Sequence, residues 1–193
     1  DVARQPLWSR FFETYGEDVY LAQKMGAATI KGYQGSDALD HTEVAATMKH
    51  FLGYSMPFSG KDRTPVYIDE RQLREIFLPT FEEAIRVGAL TVMINSGELN
   101  GIPVHADKAI LTDLLRTELG FQGLAVTDWE DIMKLVNFHR VAPNIKEAVR
   151  MSVMAGIDMA MVPNDYSFTD ALIELAKEGS VPEERINEAV YRI

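Results

Sequence analysis

The feature that most limits how this chain can fold is a repeated order: a short apolar run that ends in a polar group, then a longer stretch with apolar residues at helical spacing. The runs are Val44-Ala45-Ala46-Thr47-Met48-Lys49-His50-Phe51, Ala89 to Asn95, Gly123-Leu124-Ala125-Val126-Thr127-Asp128-Trp129 and Gly156 to Val162. Runs of this kind, with no alternation of polar and apolar positions, read as strands buried on both faces. A trace of a fifth strand is read at Asp1-Val2. Helices are expected after Glu17-Asp18, with Gly32 and Gly35 marking the stop; from Ile68 through Arg86, with Pro79 as a kink; and over Ala109–Leu119, Ile145–Ala155 and Phe168–Lys177. A last helix opens at Val181-Pro182-Glu183-Glu184. Strand and helix in strict alternation, without hairpin signals, predict an α/β fold with one parallel sheet covered by helices.

A closed barrel of eight strands and eight helices needs about 250 residues, and 193 are present. The chain is therefore either a compact open sheet or the later βα units of a parallel (β/α) barrel of TIM type. No Gly-rich phosphate fingerprint follows any of the runs, which weakens the doubly wound nucleotide-binding alternative. The sequence starts without Met, in what reads as the end of a strand, so a piece of a longer polypeptide is expected.

Composition narrows the partners. The formal net charge is −10 and no cluster of Lys or Arg interrupts it, which argues against nucleic acid and anionic membrane surfaces. Cysteine is absent, so there is neither a disulfide framework nor a thiolate metal site. No apolar run is long enough to span a membrane, and Asp1 to Pro6 carries no apolar signal segment. Compartment and oligomeric state are left open.

Chemistry is expected where strands end, because side chains at the carboxyl ends of parallel strands line the rim on which such folds work. Lys49 and His50 follow one run, Asn95 through Glu98 another, and Asp128 and Trp129 a third. Leu7 to Gly16, which contains Arg10, and Gly53 to Pro65 read as loops on the same rim. Each residue also has a plain structural reading: a cap for Asp128, core for Trp129, a satisfied histidine for His50 and a turn brace for Glu98. Taken together they suit a neutral polyol. Cationic and imidazole groups can donate to hydroxyls, an indole can cover the apolar face of a sugar ring, and a carboxylate can attack an electrophilic carbon. Retaining glycosidases need two carboxyl groups roughly 5–5.5 Å apart, and Asp128 fits the nucleophile. Schiff-base chemistry on Lys49 is a second use of the same groups. A metal site is disfavoured, since Asp128, Glu130 and Asp131 are too close in sequence to point inward together and lack a spaced His.

Five ordered segments carry a resemblance. Asp1-Val2-Ala3-Arg4-x-Pro6 with Trp8-x-Arg10, Glu13-Thr14-Tyr15-Gly16-Glu17-Asp18, Lys49-His50-Phe51, Asn100-Gly101-Ile102-Pro103-Val104-His105, and Gly120-Phe121-x-Gly123 with Thr127-Asp128-Trp129 resemble glycoside hydrolase family 3, collinearly over the chain. The resemblance implies part of an amino-terminal (β/α)8 barrel over residues 1–193, with earlier strands and a following α/β sandwich domain outside it. It implies exo-acting, retaining hydrolysis of β-linked sugars without cofactor or metal, and a periplasmic or secreted setting. It assigns the nucleophile to Asp128 and sugar contacts to Arg10, Lys49, His50, Met93 and Trp129. Three departures stand out. Ser96-Gly97 occupies the place of a common family Tyr. Leu52-Gly53-Tyr54-Ser55 after Lys49-His50-Phe51 lacks the later His of the N-acetylglucosaminidase branch, so the acid/base is expected to be a Glu of the second domain. The strand that supplies a sugar-binding Asp lies upstream of residue 1.

Overall fold

The computed structural model describes residues 1–35, 41–164 and 166–193, and the chain divides into two compact units, Asp1–Gly101 and Ile102–Ile193. In the first unit two parallel strands, β1 (Thr47–Phe51) and β2 (Thr91–Ile94), pair in the register Thr47 to Thr91 and Met48 to Val92. Helix α1 (Val19–Gln34) starts where the Asp18 carboxylate accepts the Leu21 N–H at 2.6 Å and stops at Gly35, whose φ of 70° suits a residue without a Cβ. It runs through Gly32, one of the two expected stops. The Gln34 carboxamide oxygen accepts from the N–H of Ala46 (2.9 Å) and of Leu90 (3.1 Å), and its amide donates to Gly88 O at 2.8 Å.

The stretch expected as one kinked helix is a continuous helical run in three parts: Glu70–Gln72, a widened turn over Leu73–Phe77, and α2 (Leu78–Arg86). Pro79 has no N–H to donate to this ladder, and it stands directly after the widened turn. Phe81 of α2 meets Phe51 of β1 edge to face, with ring centroids 5.1 Å apart. Burial alternates along both strands. Met48, Phe51, Val92 and Ile94 are covered, whereas Thr47 and Lys49 are exposed and Thr91 and Met93 half-buried. Among the described residues the covered positions share one face, and the two threonine hydroxyls, 2.5 Å apart, lie on the other. Asp1-Val2 is not a strand; Ala3 N donates instead to Gly16 O. The two-residue strand β3 (Glu98–Leu99) is followed by Asn100 and Gly101 with left-handed backbone, φ 52° and 87°, and the second unit opens with β4 (Ile102–Pro103).

The second unit contains α3 (Ala109–Glu118), wound with wide turns, then β5 (Leu124–Val126), α4 (Asp131–Asn137), α5 (Ile145–Ala155), α6 (Ser167–Lys177) and α7 (Glu183–Arg192). Its core is built from Ile132 and Leu135 of α4, Ala148, Val149 and Val153 of α5, Ala171 and Leu175 of α6, and Val181. The run Gly156–Val162 lies parallel to β5 but bridges it only at Met159, so the fourth expected strand is a single bridge. At its base the buried Asp158 carboxylate meets three guanidiniums: Arg116 (2.6 Å), Arg185 (3.0 Å) and Arg192 (3.0 Å). The same carboxylate accepts the Ala125 N–H at 3.0 Å. Burial and the neighbouring Arg192 and Arg185 pull Arg116 below the usual arginine range, while Asp158 holds it up.

Candidate active site

The first unit holds Arg10, Lys49, His50 and Met93 of the expected site residues, and joins three of them through two further side chains. Glu13 is the first. Both its oxygens take the Arg10 guanidinium, at 2.9 and 2.8 Å, and one lies 3.4 Å from the Lys49 ammonium. Hydrogen bonding from Arg10 pulls the Glu13 carboxyl down to about 2 from its usual 4.5, with a smaller pull from Lys49. Tyr54 is the second. Its buried ring lies under the Arg10 guanidinium at 5.7 Å and against the His50 imidazole at 4.7 Å, edge to face. Trp8 meets Tyr54 in the same manner at 5.3 Å and donates its indole N–H to Asp62 at 2.8 Å. Burial pushes the Tyr54 phenol well above its ordinary value, and the Asp62 carboxylate adds to this.

His50 is buried, and both its backbone N–H and its Nδ1 meet the Asp1 carboxylate, at 3.2 and 2.9 Å. Met93 projects from the same uncovered face of the paired strands as Thr47, Thr91 and Lys49. Asn95 is different. Its amide donates to Leu52 O and its oxygen accepts from Gly97 N, both at 2.7 Å, so both ends brace backbone rather than a rim. Ser96, where the family often has Tyr, is buried and accepts from Arg63 Nε at 3.0 Å. Glu13, Tyr54, Asp1 and Asp62 were not singled out by sequence reasoning. Two of them sit inside the quoted motifs, which was the available signal.

Because the folded-state value of Glu13 is depressed, its contribution to stability is present above pH 4.5 and is lost as pH falls toward about 2. A carbon-detected NMR titration of the Glu13 carboxyl is expected to give a midpoint near 2. An ordinary midpoint near 4.5 would show that the ion pair with Arg10 is not populated in solution.

The second unit holds Asp128 and Trp129, two and three residues beyond the end of β5. Asp128 is 9% exposed and Trp129 49%, so the carboxylate is sheltered while the indole stands out. Asp128 Oδ1 accepts the N–H of Trp129 at 2.6 Å; this is not a helix cap, since the helix that follows begins after Glu130 without a side-chain cap. Two neighbours fix the turn that follows. On one side Thr127 N and Glu130 N donate to the carbonyls of Met159 and Met161, and Met161 N donates to the Thr127 hydroxyl. On the other, the Lys134 ammonium donates to Trp129 O (2.5 Å) and to Asp131 Oδ1 (2.6 Å). Asp131 Oδ2 in turn faces the buried His105 Nε2 at 3.4 Å. Burial lowers the His105 pKa, opposed by the Asp131 and Asp128 carboxylates. Glu130 has a left-handed backbone, φ 55°, of a kind that costs a non-glycine residue about 1–3 kcal/mol unless its neighbours hold it. Helix α4, which begins there, escaped sequence reasoning because it is only seven residues long.

A sheltered carboxylate just beyond the carboxyl end of a parallel strand stands where α/β barrels carry their functional groups. The model of the glycosyl hydrolase family 3 N-terminal domain matches residues 1–193, and the chain belongs to that family. Among curated relatives, a lysosomal β-glucosidase of Dictyostelium discoideum is 52% identical over 98% of this chain and 24% of its own length. A β-xylosidase of Formosa agariphila is 41% identical over 80% of this chain and 22% of its own. Among solved structures, a β-glucosidase from Erythrobacter marinus superposes with a TM-score of 0.94 at 33% identity, over all of this chain and 26% of that one. A Listeria innocua β-glucosidase in complex with glucose gives 0.92 at 34% identity, over all of this chain and 27% of that one. The chain thus spans about a quarter of the length of the proteins it matches, and its α/β fold is part of a TIM-barrel-like domain rather than a compact open sheet.

Proposed function

We propose that the polypeptide containing this chain is an exo-acting, retaining β-glucosidase that removes terminal β-D-glucosyl residues. The reading is supported by family membership, by the β-glucosidase names of the relatives above and, among the residues, chiefly by Asp128 with Trp129 at the end of β5. An Asp128 carboxylate oxygen bonds to the anomeric carbon as the glycosidic C–O bond breaks, and the leaving oxygen takes a proton from a carboxylic acid outside these residues. Water then attacks the glycosyl-enzyme, the same carboxylate outside the chain accepts its proton, and Asp128 is released. Arg10, Lys49 and His50 are assigned to sugar hydroxyls, Met93 to the pocket wall and Trp129 to the ring face. A β-xylosidase is the second reading, favoured by the Formosa relative.

The test is to give the full-length polypeptide cellobiose, laminaribiose and the nitrophenyl β-glucoside and β-xyloside, and to follow the first-formed sugar by proton NMR. Release of β-glucose first is the expected result. First appearance of the α-anomer would exclude the retaining mechanism, and a preference for the xyloside would select the second reading.

A further inference from the structure

Trp129 is held by both of its peptide groups. Its N–H is taken by the Asp128 carboxylate at 2.6 Å and its carbonyl by the Lys134 ammonium at 2.5 Å. Lys134 is itself placed by Asp131, to which it donates at 2.6 Å, and Asp131 is 2% exposed. Behind Asp131 stands His105, 3% exposed, with Nε2 3.4 Å from the second carboxylate oxygen. A cation fixed by a buried anion therefore ends on the carbonyl of the peptide after Trp129, one peptide beyond the one whose N–H meets Asp128. Lys134 and Asp128 thus hold the two peptides that flank the Trp129 Cα, and a shift of the held carbonyl turns the backbone that carries both the donor to Asp128 and the exposed indole.

We propose that Lys134, held by Asp131 and backed by His105, is the positioning residue that sets the Asp128 carboxylate and the Trp129 ring for reaction. The inference rests on the reading of Asp128 as nucleophile. Lys134 does not touch the sugar; it acts through the Trp129 peptide. Asp131→Asn keeps the volume but removes the charge that holds the ammonium, whereas Lys134→Met removes the donor and keeps much of the stem.

The experiment uses the full-length polypeptide with 5-fluorotryptophan, the Trp129 resonance being identified by its loss in Trp129→Phe. Covalent labelling by a 2-deoxy-2-fluoroglucoside with a good leaving group is timed in parallel. Lys134→Met is expected to slow labelling by about 100-fold, the scale that a small misplacement of a reacting group produces. The Trp129 fluorine resonance shifts or broadens in the same variant. Asp131→Asn gives the same pair of changes, and the double variant is no slower than either single one, since the two residues act as one unit. Should Lys134→Met fail to fold, Asp131→Asn alone decides. Wild-type labelling rates with an unmoved Trp129 resonance overturn the proposal, and so do additive effects confined to thermal stability. If Asp128→Ala is itself still labelled, the nucleophile assignment has failed instead, and the fluorine resonance still reports whether Lys134 sets the turn.

Discussion

In the full-length polypeptide, Asp128→Ala is expected to lower glucoside turnover by about 10⁴-fold or more, the scale found when a covalent catalytic group is deleted. Labelling by a 2-deoxy-2-fluoroglucoside should disappear with it. The variant opens space for a small anion where the carboxylate was, so added azide is expected to restore part of the turnover of an activated glucoside, with the α-glycosyl azide as product. That product reports the face of attack, which a loss of activity alone does not. Folding is a separate matter: Asp128 accepts a hydrogen bond from Trp129 N, and loss of that charge-assisted bond should cost about 1.5–3 kcal/mol. A variant that is well folded, inactive and rescued by azide supports the assignment. One that still forms the covalent adduct refutes it.

The largest expected effect on stability lies elsewhere, at Asp158. Its side chain is fully buried and is shared by Arg116, Arg185 and Arg192, so one carboxylate answers three guanidiniums. Asp158→Asn keeps the shape and an acceptor for Ala125 N but removes the charge. Breaking a buried ion pair by deleting one partner costs about 3–5 kcal/mol, because the surviving charge stays buried without compensation. Three such charges place the expected loss at the upper end of that range. Arg192→Leu should cost less, since Arg116 and Arg185 remain to hold Asp158. Urea denaturation of the two variants, read in the second unit by hydrogen exchange at the β5 amides, checks the ranking. Equal losses would mean that the carboxylate is not the centre of the cluster.

The sequence carried the elements whose signals are local. Asp18 and Gly35 bound α1 where an acidic start and a glycine stop are expected, and the Pro and acids at Val181-Pro182-Glu183-Glu184 placed the opening of α7. It misjudged what depends on neighbours. A run such as Gly156–Val162 looks like a strand by composition, yet only Met159 bridges β5; beside it the Asp158 carboxylate, held by the arginines, takes the Ala125 N–H in place of a backbone carbonyl. Of the expected sugar-contacting residues, Lys49 and His50 were legible as polar groups at a strand end and Arg10 as a cation in a rim loop. Their organisers, Glu13 and Tyr54, were not, since an acid in a loop and a tyrosine after a glycine carry no sign of which cation they will meet.

Gln34 adds a constraint of a different sort. One carboxamide at the last turn of α1 captures backbone at the start of both β1 and β2. The helix thereby works as a measuring rod, and the distance from Asp18 to Gln34 sets where two strands begin. A single residue inserted within α1 would turn Gln34 by about 100° around the helix axis and release both strands at once. Length in this helix is therefore far less free to drift than its exposed surface would suggest.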